Sequence, residues 1–316
     1  MSRSEPKPCA LEPREFSEAM PAEDFARLEL LCRRVATLPV LPTNALQLIR
    51  TIDSGEASAA ELERIIINDP SLSAEFLRLA TTSQFGKSAT QLTSIRSGIL
   101  RMGQRTVRAL ATSLLLRDLV RSDGDKAMDM KQFAKHSLSV GLVAKFLFAR
   151  RKMQGEFQTK WSADEIFAAG LLSDLGYVLL ARMLPETYTR LAAFAEKSGS
   201  SLDDTFVAAF DNPASDLGAT AAETWGLPEI FTTTLRHIQK PWDGGDEFTA
   251  ICCLNLAAAL SCDFGFGMET WETNVSVNPQ VAFEINLPDE EQANLKQVVT
   301  DQIAAYTEGM GESKAA

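Results

Sequence analysis

From Asp24 onward the chain repeats one pattern: a residue able to cap a helix, a run with apolar side chains three and four positions apart, then glycine or proline. That spacing lines one face of an α-helix with apolar groups, and no stretch alternates as a half-buried strand must. Ser58 with Glu61 forms a capping-box pair ahead of Leu62, Ile65 and Ile66. Asp69 caps next, with Pro70 at the first helical position and Leu72, Phe76, Leu79 and Ala80 on one face. Ser94 opens a helix that Gly103 can close, and Ser162 with Glu165 repeats the box before Ile166, Ala169 and Leu172. Pro185, Gly199, Pro213, Gly226 and Pro228 then punctuate the second half at helix-length intervals. Asp123-Gly124 and Asp243-Gly244 lack alternating apolar flanks and are expected to be interhelical loops. Val275 to Ile285 carries the weakest pattern. The expected fold is all-α, a multi-helix globular bundle.

The same pattern divides the chain. Residues 1–22 are rich in Pro, Glu and Ser and are expected to form a disordered tail. Residues 23–122 form an N-terminal helical lobe and 126–243 a second lobe. Residues 244–316 are a C-terminal helical extension, expected to hold one or two helices closing the bundle.

Length and charge limit the partners. A chain of 316 residues can bury a core without metal or disulfide support. Its 31 basic and 42 acidic side chains give a net charge of −11, which repels polyanions at long range and disfavours general nucleic-acid binding. Against that background, Arg96 to Arg121 is unusual, with Arg96, Arg101, Arg105, Arg108, Arg117 and Arg121 beside one acid, Asp118. Arg101, Arg105 and Arg108 fall at i, i+4 and i+7, a stripe able to hold phosphate or a partner's carboxylates. A solvated face paired with acidic neighbours explains the same spacing.

Cys9, Cys32, Cys252, Cys253 and Cys262 show no C-x-x-C spacing and no even count, which fits a reducing compartment. Cys252 and Cys253 sit in an apolar run and are read as packing. The N-terminal residues lack a signal-peptide pattern, and no segment suggests the ~18 apolar residues of a membrane span. A cytoplasmic protein without a membrane partner is expected.

Two ordered sets of short motifs resemble a known family. The first runs through Leu38-Pro39-Val40-Leu41-Pro42, Ile66-Ile67-Asn68-Asp69-Pro70, Leu77-Arg78-Leu79-Ala80 and Thr93-Ser94-Ile95-Arg96. The second runs through Lys135-His136-Ser137, Ala169 to Gly176, Trp225-Gly226-Leu227-Pro228 and Arg236-His237. Together they resemble the HDOD domain, the HD-related output domain, over roughly Leu38 to Ile238. The second lobe is then HD-like.

The resemblance implies a site. Active HD hydrolases bring a His, an adjacent His-Asp pair and a later Asp onto one or two metal ions. Here His136 matches the first His and Asp174 the Asp of the pair, while Ser173 stands at the second His and Ala258 at the distal Asp. Two of four ligands are missing, and a catalytic divalent site needs at least three. With only His136 and His237 in the chain, no other His cluster can form. His136 and Asp174 are expected to form a buried hydrogen bond between helices; a vestigial ligand pocket and a working metal site are the competing readings. His237 falls near the end of a helix beginning at about Pro228, where a cation is favoured by the helix dipole.

No phosphate-binding glycine loop, G-x-S-x-G elbow, zinc-protease histidine pair or GYP signature is present. The expectation is a non-catalytic, bacterial signal-transduction module without cofactor or metal, acting through a signalling protein partner, with a small ligand as a further option. One alternative is a divergent metal-dependent phosphohydrolase or phosphodiesterase. Another is a nucleotide or nucleic-acid sensor using the arginines.

Overall fold

The computed structural model describes residues 43–55, 57–68, 73, 76, 94–120, 127–155, 159–210, 212–272 and 275–312. Among the described residues there are thirteen α-helices, two short 3-10 helices and no strand. The Asp69-Pro70 helix entry, Asp123-Gly124 and residues 1–22 lie outside the described residues.

Three helices build the first lobe: α1 (Thr43–Asp53), α2 (Ala59–Ile67) and α3 (Ile95–Val120). Ser58 accepts the Glu61 amide at 3.2 Å, which starts α2 and turns Leu62, Ile65 and Ile66 into the core. Ser94 likewise accepts the Ser97 amide at 3.1 Å before α3. Gly103, at φ 77, breaks α3 into two helical stretches, as its position in the sequence suggested.

The second lobe is organised around α4 (Met130–Gln154), which packs against α5 (Ala163–Leu171) and α11 (Phe248–Asp263). Being covered on several sides, α4 buries Phe133, Val140, Val143, Leu147 and Phe148 rather than a single stripe. At its crossing with α5, a Cβ added to Gly170 would lie 2.7 Å from the Cα of Gly141, so only paired glycines allow that approach. Both halves of the Ser162–Glu165 capping box are present at the start of α5.

Next come α6 (Leu175–Met183), α7 (Pro185–Ser198), α8 (Leu202–Phe210), α9 (Ala214–Thr224) and α10 (Glu229–His237). His237 is the last residue of α10, as expected from the sequence. Asp243-Gly244 lies in a connection made of two 3-10 turns, Pro241–Asp243 and Gly245–Glu247.

The C-terminal extension holds three helices rather than one or two: α11, α12 (Pro279–Ile285) and α13 (Asp289–Glu312). The weakly patterned stretch thus contains α12, which Asn278 caps by accepting the Gln280 amide at 2.8 Å. Arg150 of α4 ties the extension down through Glu291 at 2.6 Å and the carbonyls of Ile285 and Asn286 at 3.1 and 3.2 Å.

A second expectation needs correcting. No membrane-length apolar segment was expected, yet Ala163–Met183 is long and apolar enough to cross a membrane by length and composition. In the fold, 83% of it is buried and it bends at Leu172–Asp174 into α5 and α6, so its apolarity serves the core.

Candidate functional site

His136 and Asp174 start on different helices and meet. His136, 3% exposed, projects from the second turn of α4, and Asp174 sits at the N-cap of α6 without capping it. The His136 Nε2 lies 3.2 Å from Asp174 Oδ2. On the other side of the ring, Nδ1 lies 2.7 Å from the Phe266 carbonyl oxygen. A carbonyl can only accept, so Nδ1 carries a proton. Burial by itself would lower the His136 pKa, but the hydrogen bond and charge of Asp174, the Phe266 carbonyl and Glu272 outweigh it and leave it raised from 6.5. Burial would equally raise Asp174, yet His136 and Ser173 hold its carboxyl below 3.8. Both ring nitrogens of His136 thus face acceptors, an arrangement that favours an imidazolium beside a carboxylate and directs the ring at the protein's own polar atoms.

The family resemblance sets Ser173 at the second His of the HD pattern. Its Oγ lies 2.6 Å from Asp174 Oδ2 and 2.9 Å from the Gly170 carbonyl oxygen. One hydroxyl proton serves these two acceptors, so the group is committed to the protein's own polar atoms. Ala258, which the resemblance sets at the distal Asp, is a partly buried methyl packed against the core. It stands one turn before Cys262 on α11, on the helix face whose Ser261 receives a hydrogen bond from Ser139 of α4 at 2.8 Å.

Several neighbours were not legible from the motifs. Glu272, 9% exposed, accepts the Leu202 amide at 3.1 Å and interacts with His136, Asp203 and Asp174. Its pKa is pushed up to about 7, mainly by burial, against the opposing pull of the Leu202 amide and His136. Asp203 accepts from Tyr177 Oη and Gln239 Nε2, each at 2.7 Å; burial and the Asp174 charge push it up to about 6. Tyr188 Oη donates to Glu269 Oε1 at 2.5 Å. The one available signal was acidic residues lying close to Met268 and Trp271, where an acid must be either exposed or partnered.

These residues do not fit an HD-type metal centre. One imidazole and one carboxylate match its ligands, Ser173 contributes a neutral, already engaged hydroxyl, and Ala258 contributes no donor. Among the described residues no group of three or more His, Cys, Asp or Glu is placed to hold an ion. Cys262, Cys252 and Cys253 are buried free thiols. Burial raises the pKa of all three, that of Cys252 to about 12, which suits packing rather than reactivity.

The arginine stripe does not form one surface. Arg96 and Arg101 are exposed, and the side chain of Arg105 lies outside what the structure describes. Arg108 turns inward to pair with both Asp53 of α1 and Glu165 of the α5 capping box. The break at Gly103 separates Arg101 from Arg108, so the i, i+4, i+7 register does not run along a continuous helix. Beside Arg108, Thr106 Oγ1 donates to Asp164 at 2.8 Å. Arg50 Nη2 donates to the Trp225 carbonyl at 2.5 Å, a further polar tie between the lobes.

Comparison with known proteins agrees with the all-helical fold. An HDOD domain family model matches residues 38–241. A curated relative, an "Uncharacterized protein" of Treponema pallidum (strain Nichols), is 26% identical over 241 residues, covering 76% of this chain and 45% of its own. The chain therefore spans less than half the length of that relative. An HDOD domain protein of Geobacter sulfurreducens with unknown function superposes with a TM-score of 0.66 at 16% identity, over 87% of this chain and 93% of its own. A "Putative signal transduction protein" of Marinobacter aquaeolei VT8 does so with a TM-score of 0.66 at 21% identity, over 95% and 68%. A "Putative phosphohydrolase" of Shewanella amazonensis SB2B gives 0.64 at 18% identity, over 86% and 93%. At these identities the solved structures establish a shared fold, and the family match over residues 38–241 establishes the membership: this chain belongs to the HDOD domain family.

Proposed function

We propose that this chain is a non-catalytic regulatory module that works by binding a signalling protein. The observation that carries the reading is the donor set of the cleft. His136 and Asp174 are engaged with one another at 3.2 Å, Ser173 is spent on Asp174, and Ala258 is hydrocarbon. Water activation at a divalent ion needs ligands that offset the ion's lost hydration, and these residues supply too few. The description of the Marinobacter aquaeolei VT8 neighbour as a signal transduction protein points the same way. A cytosolic, bacterial setting belongs to this reading.

A divergent phosphohydrolase is the second reading, favoured by the meeting of two ligand-position residues and by the description of the Shewanella amazonensis SB2B neighbour. The deciding experiment is metal analysis of the purified chain after loading with Fe, Mn or Zn, paired with a phosphodiesterase assay. The regulatory reading expects no stoichiometric metal and no turnover. Metal at one equivalent, lost together with turnover in Asp174→Ala, would establish the enzyme instead.

Partner binding is tested directly by capture from a bacterial lysate, comparing wild type with Arg96→Ala/Arg101→Ala. These arginines are exposed and can be changed without disturbing the inward ion pairs of Arg108. Retention by wild type and loss by the variant would place the partner on this face. Steep salt dependence of a captured nucleotide or nucleic acid would favour the sensor reading.

A further inference from the structure

Two packed helices of the first lobe turn their apolar stripes inward and leave a surface of different make outside. Leu62, Ile65 and Ile66 of α2 and Ile95 and Ile99 of α3 are buried, and Gln104 Nε2 donates to the Ala57 carbonyl at 2.5 Å, holding α3 against the start of α2. On the outward side, exposed Arg64 of α2 stands three residues before Ile67, itself 55% exposed. Exposed Arg96 of α3 stands four before Leu100, 69% exposed, with exposed Arg101 next to it. Helical spacing puts each arginine on the same face as its aliphatic neighbour.

Elsewhere the described arginines are engaged within the chain. Arg108 is paired with Asp53 and Glu165, Arg150 with Glu291, Arg151 with Glu284 and Arg236 with Glu223; Arg50 donates to the Trp225 carbonyl, and Arg182 and Arg190 also have partners. Among the described residues, the side chains of Arg64, Arg96 and Arg101 have neither an ion pair nor a hydrogen bond. Within a chain of net charge −11 they make a locally positive surface, and the acids of α2, Glu61 and Glu63, are half-buried. Met153 and Phe283 are more exposed apolar side chains, each at 87%, but their near neighbours in the chain, Arg151 and Glu284, are tied to each other at 3.3 Å. Only on α2 and α3, among the described residues, do exposed aliphatics stand beside unpaired guanidinium groups.

We propose that the outward surface of α2 and α3 receives an acidic amphipathic helix of the signalling partner, its carboxylates on Arg64, Arg96 and Arg101 and its apolar side chains on Ile67 and Leu100. The inference deepens the partner-binding reading and rests on it. Both components of the surface select this occupant. A guanidinium takes a carboxylate through two parallel hydrogen bonds, and its charge steers an acidic partner to this face of a chain that otherwise repels it. Exposed aliphatics between the charges are covered by the apolar stripe of a docked helix. Nucleic acid supplies the negative charge, but its phosphates have nothing apolar to lay on Ile67 and Leu100, and neither helix contains an aromatic residue on which a base could stack. A second copy of the chain, docked through the same patch by two-fold symmetry, would bring like charges together.

The probe is a phage-displayed library of random peptides of about 16 residues, about four helical turns, selected on the full chain. The expected result is enrichment of peptides carrying Asp or Glu three or four positions from Leu, Ile or Phe. By fluorescence polarisation those peptides should bind Leu100→Ser and Arg96→Ala/Arg101→Ala each about tenfold more weakly than wild type, and Phe283→Ser as tightly as wild type. Their affinity should fall as salt is raised. Every changed side chain is exposed, so the variants are expected to keep the circular dichroism and melting temperature of wild type. Failure to enrich acidic peptides, or enriched peptides that bind both variants as tightly as wild type, overturns the proposal. So does a random single-stranded DNA pool that binds in preference to the peptides and is lost with Arg96→Ala/Arg101→Ala. The two readings fail separately: peptides docked on another face overturn this surface and keep partner binding, whereas stoichiometric metal with turnover removes the regulatory reading however tightly peptides bind here.

Discussion

Two of the places in this molecule that hold charges between helices neutralise them differently. Where the lobes meet, one guanidinium, Arg108, lies between two carboxylates, Asp53 and Glu165, with side chains 13%, 28% and 10% exposed. In the cleft, one imidazole faces the carboxyls of Asp174, Asp203 and Glu272. The junction balances its charge with a guanidinium, a side chain that does not give up its proton in proteins. The cleft has too little positive charge, so its surplus carboxyls are balanced by taking up protons. The first arrangement is fixed over the working pH range, and the second varies across it.

That contrast can be broken first at the junction. Arg108→Ala leaves Asp53 and Glu165 without their cation and is expected to cost about 3 kcal/mol in denaturant unfolding; a loss under about 1 kcal/mol would mean the pair is mostly solvated. Next comes pH. Glu272 and Asp203 have folded pKa values of about 7 and about 6, above their ordinary 4.5 and 3.8, and His136 is raised above 6.5. Each of the three contributes stability that is present in full below its ordinary value and lost as pH rises through its folded value. Asp174 runs oppositely, because its lowered pKa gives stability that disappears on acidification below 3.8. Thermal stability should therefore peak near pH 4 to 5 and fall by about 5 °C on going to pH 8. Glu272→Gln should remove the largest share of that fall, and an unchanged slope would shift the effect elsewhere.

Smaller changes sharpen the picture. Ser173→Ala withdraws one hydrogen bond from Asp174 and should cost about 1 kcal/mol, with the His136 resonance titrating at an altered pH by NMR. Arg101→Ala, on an exposed side chain, should stay within about 0.5 kcal/mol by chemical denaturation.

The helices were largely legible because their determinants are local. Ser58, Ser94, Ser162 and Gly103 act within a turn of where they stand; the last three do in the structure what their spacing implied, and Ser58 caps its helix through one half of the expected box. The cleft was half legible. His136 and Asp174 could be paired through motif order, but the Phe266 carbonyl is 130 residues from His136 and belongs to the backbone, which leaves no trace in a pattern of side chains. Glu272 and Asp203 were hidden for a related reason: an acid resembles a solvated surface residue until tertiary packing takes its water away. Arg108 failed in the opposite direction. Its spacing from Arg101 suggested a shared outer face, and only the kink at Gly103 and the acids of two other helices turn it inward.

The turn that ends α11 has an implication for how this sequence can drift. Because Gly265 and two main-chain bonds aim the Phe266 carbonyl at His136, that contact depends on the count of residues after the helix and hardly on which side chain occupies position 266. Substitutions there should spare that bond and lose only the packing of Phe266 against the core, whereas a single insertion or deletion between Asp263 and Phe266 would rotate the carbonyl away and leave the imidazole facing nothing on that side.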